Sequence, residues 1–269
     1  MATGAILNLI IQSYNEKDSA RSQELDTCLQ MNLENPYVKA IYDLTDYPRI
    51  QFTSNEKYKV VPWSEWLTFQ KAFEFANSMP SEYFVILNTD IALDKDSKWN
   101  LASSIFLDNA YILALSRHEY DLSTGIAKMD PIFEQLLHSH TQDAWIFKSP
   151  INVPNSDFEI GLLGCDNAIA HRMHTAGYHL INYPTKYKIL HIDTVRGKTS
   201  SNFMTKHHQQ PAKITNKHPE EQGCYLLPNY EAAAKMSLDA LASGLAMNPT
   251  EKYEIICEIM SRKIKIKNR

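Results

Sequence analysis

Tyr83-Phe84-Val85-Ile86-Leu87-Asn88-Thr89-Asp90 is the stretch that decides the fold. Apolar and aromatic residues run without alternation from Tyr83 to Leu87, and three polar residues follow at once. A strand with one wet face alternates apolar and polar residues. An unbroken apolar run of this length fits a central strand of a parallel sheet, covered on both faces. Open α/β sheets bind ligands beyond the carboxyl ends of their strands, so Asn88, Thr89 and Asp90 stand where chemistry is done. The plainer reading of the same triplet is an Asx-type turn that closes the strand.

Upstream, Ile6–Ile11 reads as a buried first strand that ends in Gln12, Ser13, Tyr14 and Asn15. From Asp18 to about Asn35 the spacing of Ala20, Leu25, Cys28, Leu29 and Leu33 predicts a helix with one buried face, stopped by Asn35-Pro36. Val38–Tyr42 is a second short strand, which completes a strand–helix–strand opening. Tyr58–Val61 is extended, and Ser64 is placed to cap a helix whose Trp66, Phe69, Phe73 and Ala76 pack on the sheet.

Downstream, Tyr111–Leu115 is a strand that ends at Ser116-Arg117-His118-Glu119, and Ala144–Phe147 is a strand preceded by Gln142-Asp143. Gly161 and Gly164 flank a turn, a helix covers Asp166–Ala176 with Gly177 as its stop, and Leu180-Ile181 and Tyr187–Ile192 are extended. A polar loop is expected from Gly197 to Pro219, then helices over Glu231–Leu245 and Glu251–Lys263. The pattern predicts an α/β fold with a mostly parallel central sheet over residues 1–196, followed by a loop and C-terminal helical extension over 197–269.

Composition narrows the function. The chain has 269 residues with 27 basic and 31 acidic side chains, a net charge of -4, which argues against a general nucleic-acid binder. Cys28, Cys165, Cys224 and Cys257 are scattered with no CxxC, so neither a disulfide framework nor a zinc ribbon is expected, and reduced thiols in a cytoplasmic protein are. Ile6–Ile11 is too short for a signal peptide or a membrane span and has no basic segment before it. The basic end, Arg262 to Arg269, reads as a solvated terminus or as a weak peripheral contact with an anionic membrane. No GxGxxG follows the first strand and no GxxxxGK[ST] occurs, which argues against a Rossmann dehydrogenase and excludes a P-loop kinase.

Three places carry candidate chemistry. Asp90 offers a carboxylate past a central strand, where a hard divalent cation on a diphosphate would take it as ligand. His191 ends a late strand and would approach the same cation, unless it is a structural histidine; Asp193 competes with it. Asp166 begins a helix after Gly164-Cys165. As an N-cap it would be structural, and as an ionised carboxylate favoured by the helix dipole it would serve as a base. His171 with His174, and His138 with His140, lack a matching carboxylate or cysteine and are read as structural or exposed.

These segments, taken together, resemble GT-A-type glycosyltransferases, family-2-like enzymes of bacteria and large viruses. The likeness rests on NTD after a strand, SRHEYD (116–121), QDAWIF (142–147), GLLGCDNAIAHRMHTAGYHLIN (161–182) and the strand-end His191, and spans about residues 5–196. It implies a Rossmann-like GT-A fold and a hexosyl- or deoxyhexosyltransferase that moves a sugar from a UDP- or GDP-linked donor to a glycan or other hydroxyl acceptor with inversion. It implies Mn²⁺ or Mg²⁺ on Asp90 and His191, with Asn88 and Asp90 at the donor diphosphate. Gln12, Ser13, Tyr14 and Asn15 would lie at the nucleotide, and Asp166 would be the base. Arg117, Asp143 and Trp145 would line the acceptor side, with core packing the equal alternative for Trp145. Two departures stand out: Asn88 replaces the first carboxylate of the DxD motif, and Cys165 replaces the acid before Asp166. The degenerate motif keeps open a non-catalytic nucleotide- or carbohydrate-binding protein of the same fold.

Overall fold

The computed structural model describes residues 5–100, 110–129, 142–161, 165–184 and 186–197. The helices expected over 231–245 and 251–263, the basic end, His138, His140, Gly164 and all but the first residue of the polar stretch 197–219 lie outside the described residues. In chain order the elements are β1 (Leu7–Ile11), α1 (Ser19–Glu34), β2 (Val38–Leu44), a 3-10 turn (Ile50–Phe52), β3 (Tyr58–Val61), α2 (Phe69–Asn77), β4 (Tyr83–Leu87), β5 (Ile91–Leu93), β6 (Tyr111–Ser116), β7 (His118–Asp121), β8 (Ile126–Lys128), β9 (Gln142–Lys148), α3 (Cys165–Thr175), β10 (His179–Ile181), β11 (Ile189–His191) and α4 (Thr194–Gly197).

The central sheet has seven strands in the order β10-β6-β9-β4-β1-β2-β3. Every pairing is parallel except those of β9, which runs antiparallel to both β4 and β6. The unbroken apolar runs became central strands because only there are both faces dry: all of β1 is buried, and Phe84–Leu87 of β4 is too. Reversal of β9 has a consequence for the site. Its amino end, Gln142-Asp143, lands beside the carboxyl ends of β4 and β6, where Leu87 pairs with Ala144 and Ser116 with Gln142.

A smaller sheet of four strands, β5-β11-β7-β8, covers that edge. The periodicity of the sequence did not reveal this sheet, because its strands are three or four residues long. Here β11 runs antiparallel to β5, with His191 opposite Ile91, and parallel to β7, with His191 beside Glu119.

Helix α1 forms where expected. The Asp18 carboxylate accepts from the backbone N–H of Ala20 and Arg21 at 2.9 and 3.1 Å, the usual service of an N-cap aspartate. It stops at Asn35, whose extended ψ of 122° is what a following proline demands. Its inner face holds Leu25, Cys28, Leu29 and Leu33, but also Arg21, Glu24 and Asn32, while Ala20 is exposed. This polar inner face binds backbone: Asn32 donates to the Ile91 carbonyl at 2.9 Å and accepts from Leu93 N–H at 2.8 Å, and Asn35 donates to the Leu93 carbonyl at 3.0 Å. Buried polar groups need such partners, so α1 is specified against β5 by hydrogen bonds as well as by apolar packing.

Helix α2 is capped by Thr68, which accepts from Lys71 N–H at 3.3 Å, and not by Ser64. Residues 64–67 stay outside the helix because other parts of the chain hold them. The Gln12 amide donates to the Glu65 carbonyl at 2.7 Å and accepts from Leu67 N–H at 2.8 Å, and Trp66 donates from its indole to the Ile160 carbonyl at 3.0 Å. Trp66 is 51% exposed, so it is not the core residue its spacing implied. Among the described residues, no helix is long and apolar enough to cross a membrane.

Candidate functional site

The site gathers at the carboxyl edge of β4 and β6. The turn after β4 is closed by backbone, with Ile91 N–H donating to the Asn88 carbonyl at 3.1 Å. The Asn88 side chain is thereby released to donate to Asp143 Oδ1 at 3.2 Å. The Asp90 carbonyl accepts from Ile192 N–H at 3.0 Å, which fixes the turn to the end of β11.

That register sets His191 beside Asp90. Nε2 of His191 is 3.5 Å from Asp90 Oδ2 and 3.9 Å from Asp193 Oδ2, and Nδ1 is 2.7 Å from Glu119 Oε2. Burial alone would lower the imidazole pKa, but hydrogen bonds with Asp90 and Glu119 outweigh it and raise it to about 9. Glu119 feels the reciprocal effect: burial raises its pKa, while His191 and then Arg117 more than compensate and lower it.

Arg21 closes the other side of Asp90. Its Nη2 is 2.5 Å from Asp90 Oδ2, and its Nη1 donates to the Ile192 carbonyl at 2.7 Å and to Glu24 Oε2 at 2.9 Å. The guanidinium is held charged, since the neighbouring Asp90 charge and the Glu24 hydrogen bond more than offset its burial.

A second cluster adjoins the first. Arg117 donates from Nη1 to Asp143 Oδ2 at 3.0 Å and from Nε to Glu119 Oε1 at 2.8 Å. Asp166 is partly buried in the first turn of α3, where Cys165 Sγ donates to its Oδ1 at 3.1 Å. It is the second residue of the helix, so it does not occupy the N-cap position that was its structural alternative. Burial raises the pKa of both carboxyls. At Asp143 the Arg117 charge opposes this, whereas at Asp166 the Asp143 charge adds to it and pushes Asp166 well above the usual carboxylate range. The helix dipole that should favour an ionised Asp166 is outweighed by these two effects.

Ser13 lines a small cleft with Ile11, Arg49, Asn88 and Thr89, and its N–H donates to buried Asp43 at 2.7 Å. Tyr14 lies near Trp66, with ring centroids 6.3 Å apart, and Asn15 is exposed. Gln12 is occupied in clasping residues 65–67. Trp145 is fully buried and packs edge-on against Phe69 at 5.0 Å, so its ring is part of the core and presents no face to an acceptor.

Sequence reading passed over Arg21 and Glu119. Both had a signal. Arg21 lies on the stripe of Leu25, Cys28 and Asn32 at helical spacing, with Glu24 three residues on. Glu119 is two residues from Arg117 in an extended segment, hence on the same side.

Among the described residues, no group of three or more His, Cys, Asp and Glu is arranged to hold a metal ion. Asp90 and His191 provide two adjacent donors, and Glu119 braces the far imidazole nitrogen in the manner of metal-ligating histidines. Magnesium-type sites use one or two carboxylates and complete their shell with phosphates and water. The pair thus fits a cation shared with a diphosphate, not one caged by protein alone.

No protein-family model matches the chain, and no curated protein does. Solved structures do. A mannosyltransferase from Pyrobaculum calidifontis, in complex with GDP-Man and Mn²⁺, matches at 14% identity and TM-score 0.51, covering 97% of this chain and 87% of that one. TarS 1-349 from S. aureus matches at 10% identity and TM-score 0.47, covering 97% and 72%. GalNAc-T7 with UDP, GalNAc and Mn²⁺ matches at 13% identity and TM-score 0.48; 71% of this chain is covered, and it spans 44% of that chain. The chain has the GT-A fold, a Rossmann-like α/β architecture, and its own central sheet is seven-stranded and mostly parallel.

Proposed function

We propose that the chain is a glycosyltransferase, moving a sugar from a UDP- or GDP-linked donor to an acceptor hydroxyl with inversion. The observation that carries this reading is the convergence of Asp90, His191, Arg117, Asp143 and Asp166 at one edge of the sheet, from elements far apart in sequence. Fold alone would not support it. The catalytic unit on this reading is residues 1–196, with 197–269 as an extension.

Asp90 and His191 would hold a divalent cation together with the donor diphosphate; when bound, that cation stabilises negative charge on the departing nucleoside diphosphate. Arg117, fixed between Asp143 and Glu119, orients Asp143 toward Asn88 and the acceptor side. Asp166 is the base. The acceptor oxygen bonds to the anomeric carbon as the bond to the diphosphate breaks, and Asp166 takes the hydroxyl proton. Because its pKa is raised, Asp166 is a strong base that must first lose its own proton, so turnover rises with pH until that ionisation is complete.

The test is thermal shift with UDP- and GDP-sugars, with and without Mn²⁺, followed by a transfer assay on the donor that binds. A ligand that binds only the folded chain raises its melting temperature. Stabilisation by a nucleotide sugar that needs Mn²⁺, with nucleoside diphosphate released on turnover, is expected. Donor binding without transfer or hydrolysis would favour the non-catalytic binding protein. No shift with any UDP- or GDP-linked sugar would sink the reading.

A further inference from the structure

Arg21 has no task in the transfer just described, yet it is the most completely enclosed charge at the site. Its side chain is 2% exposed, and its guanidinium lies 2.5 Å from Oδ2 of Asp90. It cannot swing away from that carboxylate, because two other groups fix it independently: the Ile192 carbonyl at 2.7 Å and Glu24 at 2.9 Å. Asp193 Oδ1 adds a fourth contact at 3.4 Å. Glu24 spends its other oxygen on the start of α4, accepting from Thr194 N–H at 2.8 Å, Val195 N–H at 3.0 Å and the Thr194 hydroxyl.

A fixed positive charge in contact with one oxygen of Asp90 cancels much of the attraction that carboxylate would exert on a cation. We infer that Arg21 is a positioning residue that makes cation binding at Asp90 conditional on the donor diphosphate. This rests on the reading that Asp90 and His191 hold a cation with the nucleotide sugar. The chain's own charges leave the cation weakly attracted, and the negative diphosphate supplies the rest, so cation and nucleotide bind together. By linkage the coupling is reciprocal: the nucleotide gains from the cation as much as the cation gains from the nucleotide. Glu24 sets how much of the guanidinium charge Asp90 feels. The plainer alternative is an ion-pair network that only fastens α1 to the chain after β11. It predicts changes in stability and none in coupling.

The test is Mn²⁺ binding by electron paramagnetic resonance on the full chain, alone and with UDP or GDP. Wild type is compared with Arg21→Gln, Arg21→Lys and Glu24→Gln, and the melting temperature of each is taken without cation. In wild type the nucleoside diphosphate should tighten Mn²⁺ binding by about tenfold or more, within the usual range of site–site coupling. Arg21→Gln keeps hydrogen-bonding capacity without charge. It should bind Mn²⁺ alone about tenfold more tightly and lose most of the nucleotide effect. Arg21→Lys, which retains the charge, should restore wild-type coupling. Glu24→Gln exposes Asp90 to more of the guanidinium charge and should weaken nucleotide-free binding severalfold. If Arg21→Gln does not fold, this opposite shift decides the matter. Unchanged Mn²⁺ affinity and coupling in Arg21→Gln, or in Glu24→Gln where that variant decides, overturns the inference while leaving the cation site standing. A wild-type chain that binds no Mn²⁺ with either nucleotide overturns both.

Discussion

Titration of His191 should dominate the stability of the cation-free chain in mild alkali. The imidazolium is stabilised in the fold by Asp90 and Glu119, which lifts its pKa from 6.5 to about 9. At roughly 1.4 kcal/mol per unit, that displacement corresponds to about 3 kcal/mol of stability. The folded-state pKa is above the unfolded one, so this contribution is fully present below about pH 6.5 and is lost as pH rises through about 9. Urea unfolding at a series of pH values across that window, in the presence of a chelator, measures it. Wild type should lose about 3 kcal/mol, and His191→Gln, which cannot titrate, should show a nearly flat profile. Glu119→Gln removes one of the two partners and should shift the midpoint downward. A cation that takes Nε2 must displace this proton, so Mn²⁺ affinity should rise over the same window in wild type and not in His191→Gln. If both proteins lose stability with the same slope, the imidazolium is not what Asp90 and Glu119 hold, and the reasoning fails.

Three further outcomes are expected. Asp166→Asn should keep its melting temperature and donor affinity, because the residue is not the helix cap, and lose turnover by on the order of 10²-fold or more; retained turnover would move the base to Asp143. Asp90→Ala should abolish cation-dependent transfer and also lower stability by roughly 1.5–3 kcal/mol, since it removes one of the carboxylates that hold the buried Arg21 charge and leaves Glu24 and Asp193; urea unfolding beside the assay separates the two effects, and undiminished stability would contradict the ion pair. Trp145→Ala should cost about 3–5 kcal/mol as a core truncation, whereas weaker acceptor binding at unchanged stability would return Trp145 to the acceptor site.

Much of the fold was legible locally. The run Tyr83–Leu87, the stripe of Leu25, Cys28, Leu29 and Leu33, and the Asn35-Pro36 stop each depend on neighbours in sequence: dry faces on both sides, helical spacing of apolar residues, and the backbone restriction before proline. Asp90 and His191 were recognisable because polar residues at strand ends face the ligand edge of an α/β sheet, and the structure sets them 3.5 Å apart. Three things were decided only by tertiary structure. The antiparallel sense of β9 put Asp143 at the site, and a strand's direction is written in its long-range partners and not in its own period. Trp66 left the core that its spacing implied, because the hydrogen bonds of Gln12 and Ile160 hold it out of helix α2, and Trp145 took the core place that was the alternative to its acceptor role, because the sheet encloses it. In one dimension Arg21 shows its place on the stripe of Leu25, Cys28 and Asn32, but not what it meets there. Burial beside Asp90, Glu24 and the Ile192 carbonyl brings together groups as many as 171 residues apart, and only the folded chain supplies the partners that make an enclosed charge stable.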